Sequence, residues 1–175
     1  MSTEPAVRLR LVEPEETTLI FSFLTLAARM QESEEPIQKA LTDKELTKYW
    51  QGWGRASDLG VVAVREADAV PISCAWVRQL PAADAGYVAD GVLELAFGTV
   101  ASERGNGVGT RALLRLIELC RASARGISLS VRAENPAVRL YERVGFRTTA
   151  EITNRVGGKS LTMLLEFAVS GRHTL

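Results

Sequence analysis

Arg104-Gly105-Asn106-Gly107-Val108-Gly109 has the composition of an anion site. Its three glycines let the backbone take positive φ, approach a ligand closely, or both. An apolar run, Val92 to Val100, precedes it, and an amphipathic stretch with helical spacing follows. At such a strand-to-helix junction, a glycine loop sets free helix N–H groups and the positive end of the helix dipole against whatever it faces. Phosphate suits that arrangement.

Three phosphate motifs compete for the loop. A Walker A loop ends in Gly-Lys-Ser/Thr, but Gly109 is followed by Thr110 and Arg111, so that reading fails. Gly107, Gly109 and Ala112 formally satisfy a dinucleotide fingerprint, with Glu134 as a downstream acid. That fingerprint follows its strand directly, whereas several polar residues intervene here. The third pattern is Arg/Gln-x-x-Gly-x-Gly/Ala, met by Arg104, Gly107 and Gly109. It resembles the pyrophosphate loop of the GNAT superfamily of N-acetyltransferases, which bind acetyl-coenzyme A. Residues 127–147, ISLSVRAENPAVRLYERVGFR, resemble the second half of the same core: a strand, Asn135, then Leu140-Tyr141-Glu142-Arg143 and Gly145-Phe146. The two stretches stand in the family's order.

The resemblance implies an α/β (α+β) fold in a single domain over 1–175. It has a mixed, mostly antiparallel twisted sheet of about seven strands flanked by about four helices. The alternative architecture, a dinucleotide-binding sheet, is parallel. The implied activity is transfer of an acetyl group from acetyl-CoA to a primary amine, by direct attack in a ternary complex. The other functional class is a catalytically silent acyl-CoA sensor of the same fold.

Acetyl transfer needs a neutral amine, a stabilised oxyanion and a proton for the departing thiolate. By resemblance, residues Arg104, Gly105, Asn106, Gly107, Val108, Gly109 and Thr110 hold the cofactor's phosphates. Phe97, Gly98 and Thr99 match the stretch of central strand that pairs with the pantetheine arm. Glycine inside a strand marks a bulge or a close approach, and a backbone N–H near Gly98 would serve the oxyanion. Asn135 would bond the arm, cap a helix, or do both. Tyr141 matches the general acid, since a phenol of pKa about 10 can protonate a thiolate whose acid is about 8.5; otherwise it packs its helix. Glu94 is the only acid on the central strand. It takes the amine proton directly or through water, or anchors the amine as a substrate-binding residue, or else faces solvent or pairs with an arginine. An acid that some relatives carry on the next strand is replaced here by Ser128 or Ser130.

Composition narrows the rest. The chain has 175 residues, zero formal net charge and a single histidine, His173. That census removes most Ser-His-Asp, Cys-His and His-metal schemes, so no metal is expected. No basic tract points to nucleic acid, and no long apolar run or signal-like N-terminus points to a membrane or to export. A cytoplasmic location is expected, and a homodimer is left open. Cys74 and Cys120 read as small buried residues.

The elements that must position these groups follow from periodicity. Residues 7–11 alternate as a strand with one buried face. Pro14 marks a helix start, with an apolar stripe of Leu19, Ile20, Phe23, Leu24, Ala27 and Met30. An acidic loop holding Glu32, Glu34 and Glu35 follows. Pro36 opens a second helical piece, and Thr42 to Glu45 resembles a capping box for a helix reaching about Trp50. Tyr49 to Arg55 either pins this connection to the core or walls the acceptor site, with Trp50 and Trp53 holding a cation and Arg55 a carboxylate. Residues 59–65 and 70–78 predict an antiparallel hairpin, and 146–153 with 160–167 a closing one. Between them, Val108, Ala112, Leu113, Leu116, Ile117 and Cys120 face the sheet from one helix. Arg111 lies on that helix's wet face, and is its one arginine with a possible phosphate role. Asn135 and Pro136 begin a short helix that Gly145 ends.

Overall fold

The β-branched and apolar runs form the strands they predict. The structure, a computed structural model, describes residues 6–27, 36–153 and 157–168. Seven strands lie in one sheet: β1 (Val7–Leu11), β2 (Leu59–Arg65), β3 (Pro71–Arg78), β4 (Val92–Thr99), β5 (Gly126–Arg132), β6 (Arg147–Thr153) and β7 (Lys159–Glu166). Their order is β1-β2-β3-β4-β5-β7-β6. The β1/β2, β2/β3, β5/β7 and β6/β7 pairs are antiparallel, and β4/β5 is parallel. The sheet is therefore mixed and mostly antiparallel, which overturns the all-parallel dinucleotide-binding alternative. Five α-helices occur among the described residues: α1 (Thr17–Ala27), α2 (Pro36–Thr42), α3 (Lys44–Thr47), α4 (Val108–Cys120) and α5 (Ala137–Arg143). None is long and apolar enough to cross a membrane.

The chain forms two compact units. The first holds Met1–Arg78 and Leu95–Ile117. Its core gathers Ile20, Phe23 and Leu24 of α1 with Val62, Val64, Cys74, Trp76 and Ala96 of the strands. Helix α1 begins at Thr17, not at Pro14. The Glu16 carboxylate accepts from the Glu13 N–H at 2.8 Å, so three residues of turn precede the first helical one. Met30 and the acidic loop lie outside the described residues. Leu11 departs from the expected buried face, being 49% exposed on an edge strand. The expected capping box is also simpler than predicted. Asp43 caps α3 by accepting from the Glu45 N–H, while the Thr42 hydroxyl bonds back to the Gln38 carbonyl. That helix ends at Thr47 rather than near Trp50.

The second unit holds Gln79–Glu94 and Glu118–Leu175. Gly145, at φ 109, ends α5 and sends Phe146 into the interior, where it is 2% exposed. The β6/β7 hairpin closes the chain as predicted. On α4 the six residues predicted to face the sheet are all buried, and Arg111 and Arg115 are exposed.

Candidate active site

The glycine loop is held at its start by contacts from β2 and β3. The Val100 N–H donates to the Ile72 carbonyl at 2.9 Å, and Ala101–Glu103 forms one 3-10 turn. Glu103 is anchored to Arg65 at 2.7 Å. The exposed Arg104 donates from Nε to the Thr99 carbonyl at 3.3 Å. Gly105 and Gly107 then take φ +80 and +77, which side-chain-bearing residues rarely adopt. A Cβ built on either would meet no atom within 4 Å, so the space before both is open.

Gly109 does a different job. Its Cβ would lie 2.6 Å from Phe97 Cζ and 2.7 Å from Thr99 Oγ1, so it lets α4 lie against β4. The first turn of α4 carries no acidic residue. The Arg111 N–H reaches back to Gly107, which leaves the N–H groups of Val108, Gly109 and Thr110 ahead of the intrahelical ladder. Arg111 itself turns its guanidinium to the Val7 carbonyl, at 3.4 Å.

The expected close approach at Gly98 exists, and α1 makes it. A Cβ there would lie 2.9 Å from the Phe23 carbonyl oxygen and 3.1 Å from the Ala27 nitrogen. Next to it, the Ser73 hydroxyl donates to the Gly98 carbonyl at 3.1 Å. Ser73 has one proton to give, so the Thr99 hydroxyl, 2.8 Å away, donates to Ser73.

Glu94 sits where the β4/β5 ladder ends. The parallel register runs Val92 to Gly126, Leu93 to Ile127 and Glu94 to Ser128, then stops. Strand β4 nevertheless continues to Thr99, and β5 to Arg132. Glu94 is 4% exposed, so the solvent-facing alternative fails, and its carboxylate accepts from the Ser128 hydroxyl at 2.8 Å. Ser130 is exposed. The sequence marks Ser128 only as the place of a missing acid; its pairing with Glu94 is set by strand register.

Asn135 accepts from the Ala137 N–H at 2.9 Å, which is the predicted helix cap. Tyr141 is buried, with its ring edge-on to Phe146 at 5.8 Å between centroids. Burial pushes its phenol up from the ordinary tyrosine value, so the group holds its proton at neutral pH.

The aromatic connection is pinned to the core. Trp53 is 8% exposed, and its indole N–H donates to the Glu13 carbonyl at 3.0 Å. Trp50 donates to the Ala40 carbonyl at 2.8 Å and meets Phe21 edge-on. Arg55 is exposed, with a 3.4 Å contact to the Gln51 carbonyl. Phe97 to Thr110, Trp50, Trp53 and Arg55 belong to the first unit, and Glu94, Asn135 and Tyr141 to the second.

The family model described as the acetyltransferase (GNAT) family matches residues 26–146, more than half of the chain. The chain belongs to the GNAT family of acetyltransferases. Membership makes it an acyltransferase by class. Solved structures share the GNAT fold over nearly the whole chain. YncA from Salmonella typhimurium, solved with its cofactor acetyl-CoA, is 18% identical, with 97% of this chain and 98% of that one covered at a TM-score of 0.70. A ribosomal-protein-alanine N-acetyltransferase from Brucella melitensis is 19% identical, with coverages of 91% and 99% and a TM-score of 0.68. The spermidine/spermine N-acetyltransferase SpeG from Vibrio cholerae is 18% identical, with coverages of 92% and 95% and a TM-score of 0.59. At these identities the likeness is one of fold. No curated relative matches the sequence.

Proposed function

We propose that this GNAT protein binds acetyl-CoA and transfers its acetyl group to a primary amine by direct attack in a ternary complex. One observation carries the reading: two left-handed glycines with open space before them lead into an α4 first turn that has free N–H groups and no acid. A pyrophosphate fits there, because it takes the N–H bonds and the positive dipole end together. Arg104 supplies a cation at the loop's start, and Gly105 to Thr110 supply backbone donors.

Acetyl-CoA brings an activated thioester, and the chain's residues do the rest. Phe97, Gly98 and Thr99 on β4 pair with the pantetheine arm, which adds to their strand as an extended segment. A backbone N–H near Gly98 is the oxyanion donor, and Asn135 adds a side-chain amide to the arm. Glu94 takes the amine proton, directly or through water. Tyr141 returns a proton to the sulfur. Its raised pKa does not forbid this, since the same desolvation raises a buried thiol, as at Cys120, pushed up to about 12.

The acceptor is an amine of a small molecule or a peptide. Trp50 and Arg55 are the residues of the aromatic connection assigned to it, while the burial of Trp53 favours its packing role. Two of the neighbours are named for ribosomal-protein alanine and for spermidine/spermine, so an alanine peptide and these amines belong in the first screen. Free thiol released from acetyl-CoA in the presence of either substrate class supports transfer. If calorimetry shows CoA binding but no amine yields thiol, the silent-sensor reading replaces it. If CoA does not bind, both readings fall.

A further inference from the structure

We infer that Ser128 is a positioning residue of the transfer reaction, holding the Glu94 carboxylate at the point where the β4/β5 ladder ends. The inference rests on the reading of Glu94 as the base. Strand register places the two Cα atoms opposite each other on adjacent strands, so the contact is set by the backbone and not by a surface rotamer. Both residues are buried, Glu94 at 4% and Ser128 at 1% exposure, and the hydroxyl donates to Oε2 at 2.8 Å.

At 4% exposure the Glu94 side chain keeps little water around its carboxylate. A carboxylate in such surroundings is costly unless it is hydrogen-bonded. A serine hydroxyl has one proton, and giving it to one carboxylate oxygen fixes that oxygen. Ser130, two residues on and exposed, has no such part.

The test is a double-mutant cycle on turnover, read as thiol release from acetyl-CoA with spermidine and with an alanine-N-terminal peptide as acceptors. Melting temperature is recorded for each variant so that only folded protein enters kcat. Ser128→Ala should lower kcat by about ten- to a hundredfold, the worth of a hydrogen bond to a charged group, with the KM for acetyl-CoA unchanged. Ser128→Thr, which keeps the hydroxyl, should restore most of that loss. In a Glu94→Gln background, Ser128→Ala should cost nothing further, because a residue acting through another is not additive with it. An equal loss in both backgrounds would make Ser128 a packing residue and overturn the inference, as would wild-type turnover in Ser128→Ala. Wild-type turnover in Glu94→Gln would remove the base reading itself, and the inference with it.

Discussion

Arg78→Met offers the sharpest test of how the connection between α3 and β2 is held. Arg78 and Asp58 have side chains only 1% exposed and meet at 3.0 Å from Nε. The guanidinium makes four further bonds: to the other Asp58 oxygen and to the carbonyls of Lys48, Gln51 and Gly52. Methionine fills similar space and restores none of them. Asp58 keeps the N–H groups of Gly54 and Arg55, so its carboxylate is not stripped bare. Its countercharge is nevertheless gone, and the carbonyls of Lys48 and Gly52 lose this donor, while that of Gln51 keeps only the 3.4 Å contact from Arg55. Breaking a buried pair in this way costs about 3–5 kcal/mol. That is a large share of the roughly 5–15 kcal/mol that holds a domain together. At about 2–4 °C per kcal/mol for a chain of this size, the melting temperature should fall by about 6–20 °C. Urea denaturation gives the free energy and the scan gives the temperature. Arg78→Met with Asp58→Asn should recover part of the loss, since the unpaired charge is removed as well. A loss below about 1 kcal/mol for Arg78→Met would refute the latch, because it would equal a surface ion pair.

The loop glycines should separate by function. Gly107→Val should abolish CoA binding in calorimetry, through both its positive φ and the Cβ in the open space. Gly109→Ala should instead lower stability by about 1–3 kcal/mol, the cost of overpacking, because its Cβ meets Phe97 and Thr99. Tyr141→Phe should leave CoA affinity intact and slow turnover by about 10²–10⁴-fold, checked by thiol release. Trp53→Ala should cost about 3–5 kcal/mol of stability while the acceptor KM stays put; an altered KM at unchanged stability would return Trp53 to the substrate site. The hydrogen bond from Arg10 holds Glu16 below its ordinary pKa, so the pair's contribution is present above about pH 4.3 and fades as pH falls through the lowered value. Arg10→Met should therefore flatten that acid limb in a pH series of melts.

The features legible in the chain were those governed by neighbours in sequence. Gly105 and Gly107 permit positive φ whatever surrounds them, and both take it. The first turn of α4 frees its N–H groups by helix geometry alone. The 3.6-residue spacing of Val108 to Cys120 selected the buried face, and Asn135 caps α5 across two residues. What stayed hidden depends on partners far along the chain. Ser128 meets Glu94 across 34 residues, and Trp53 reaches Glu13 across 40. No local rule brings these pairs together, because strand register and helix packing choose them only when the whole core forms. Gly98 shows the difference. Its type announced that something approaches closely, but only the tertiary structure showed that the backbone of α1 does so, since a missing Cβ records the need for space and not what fills it.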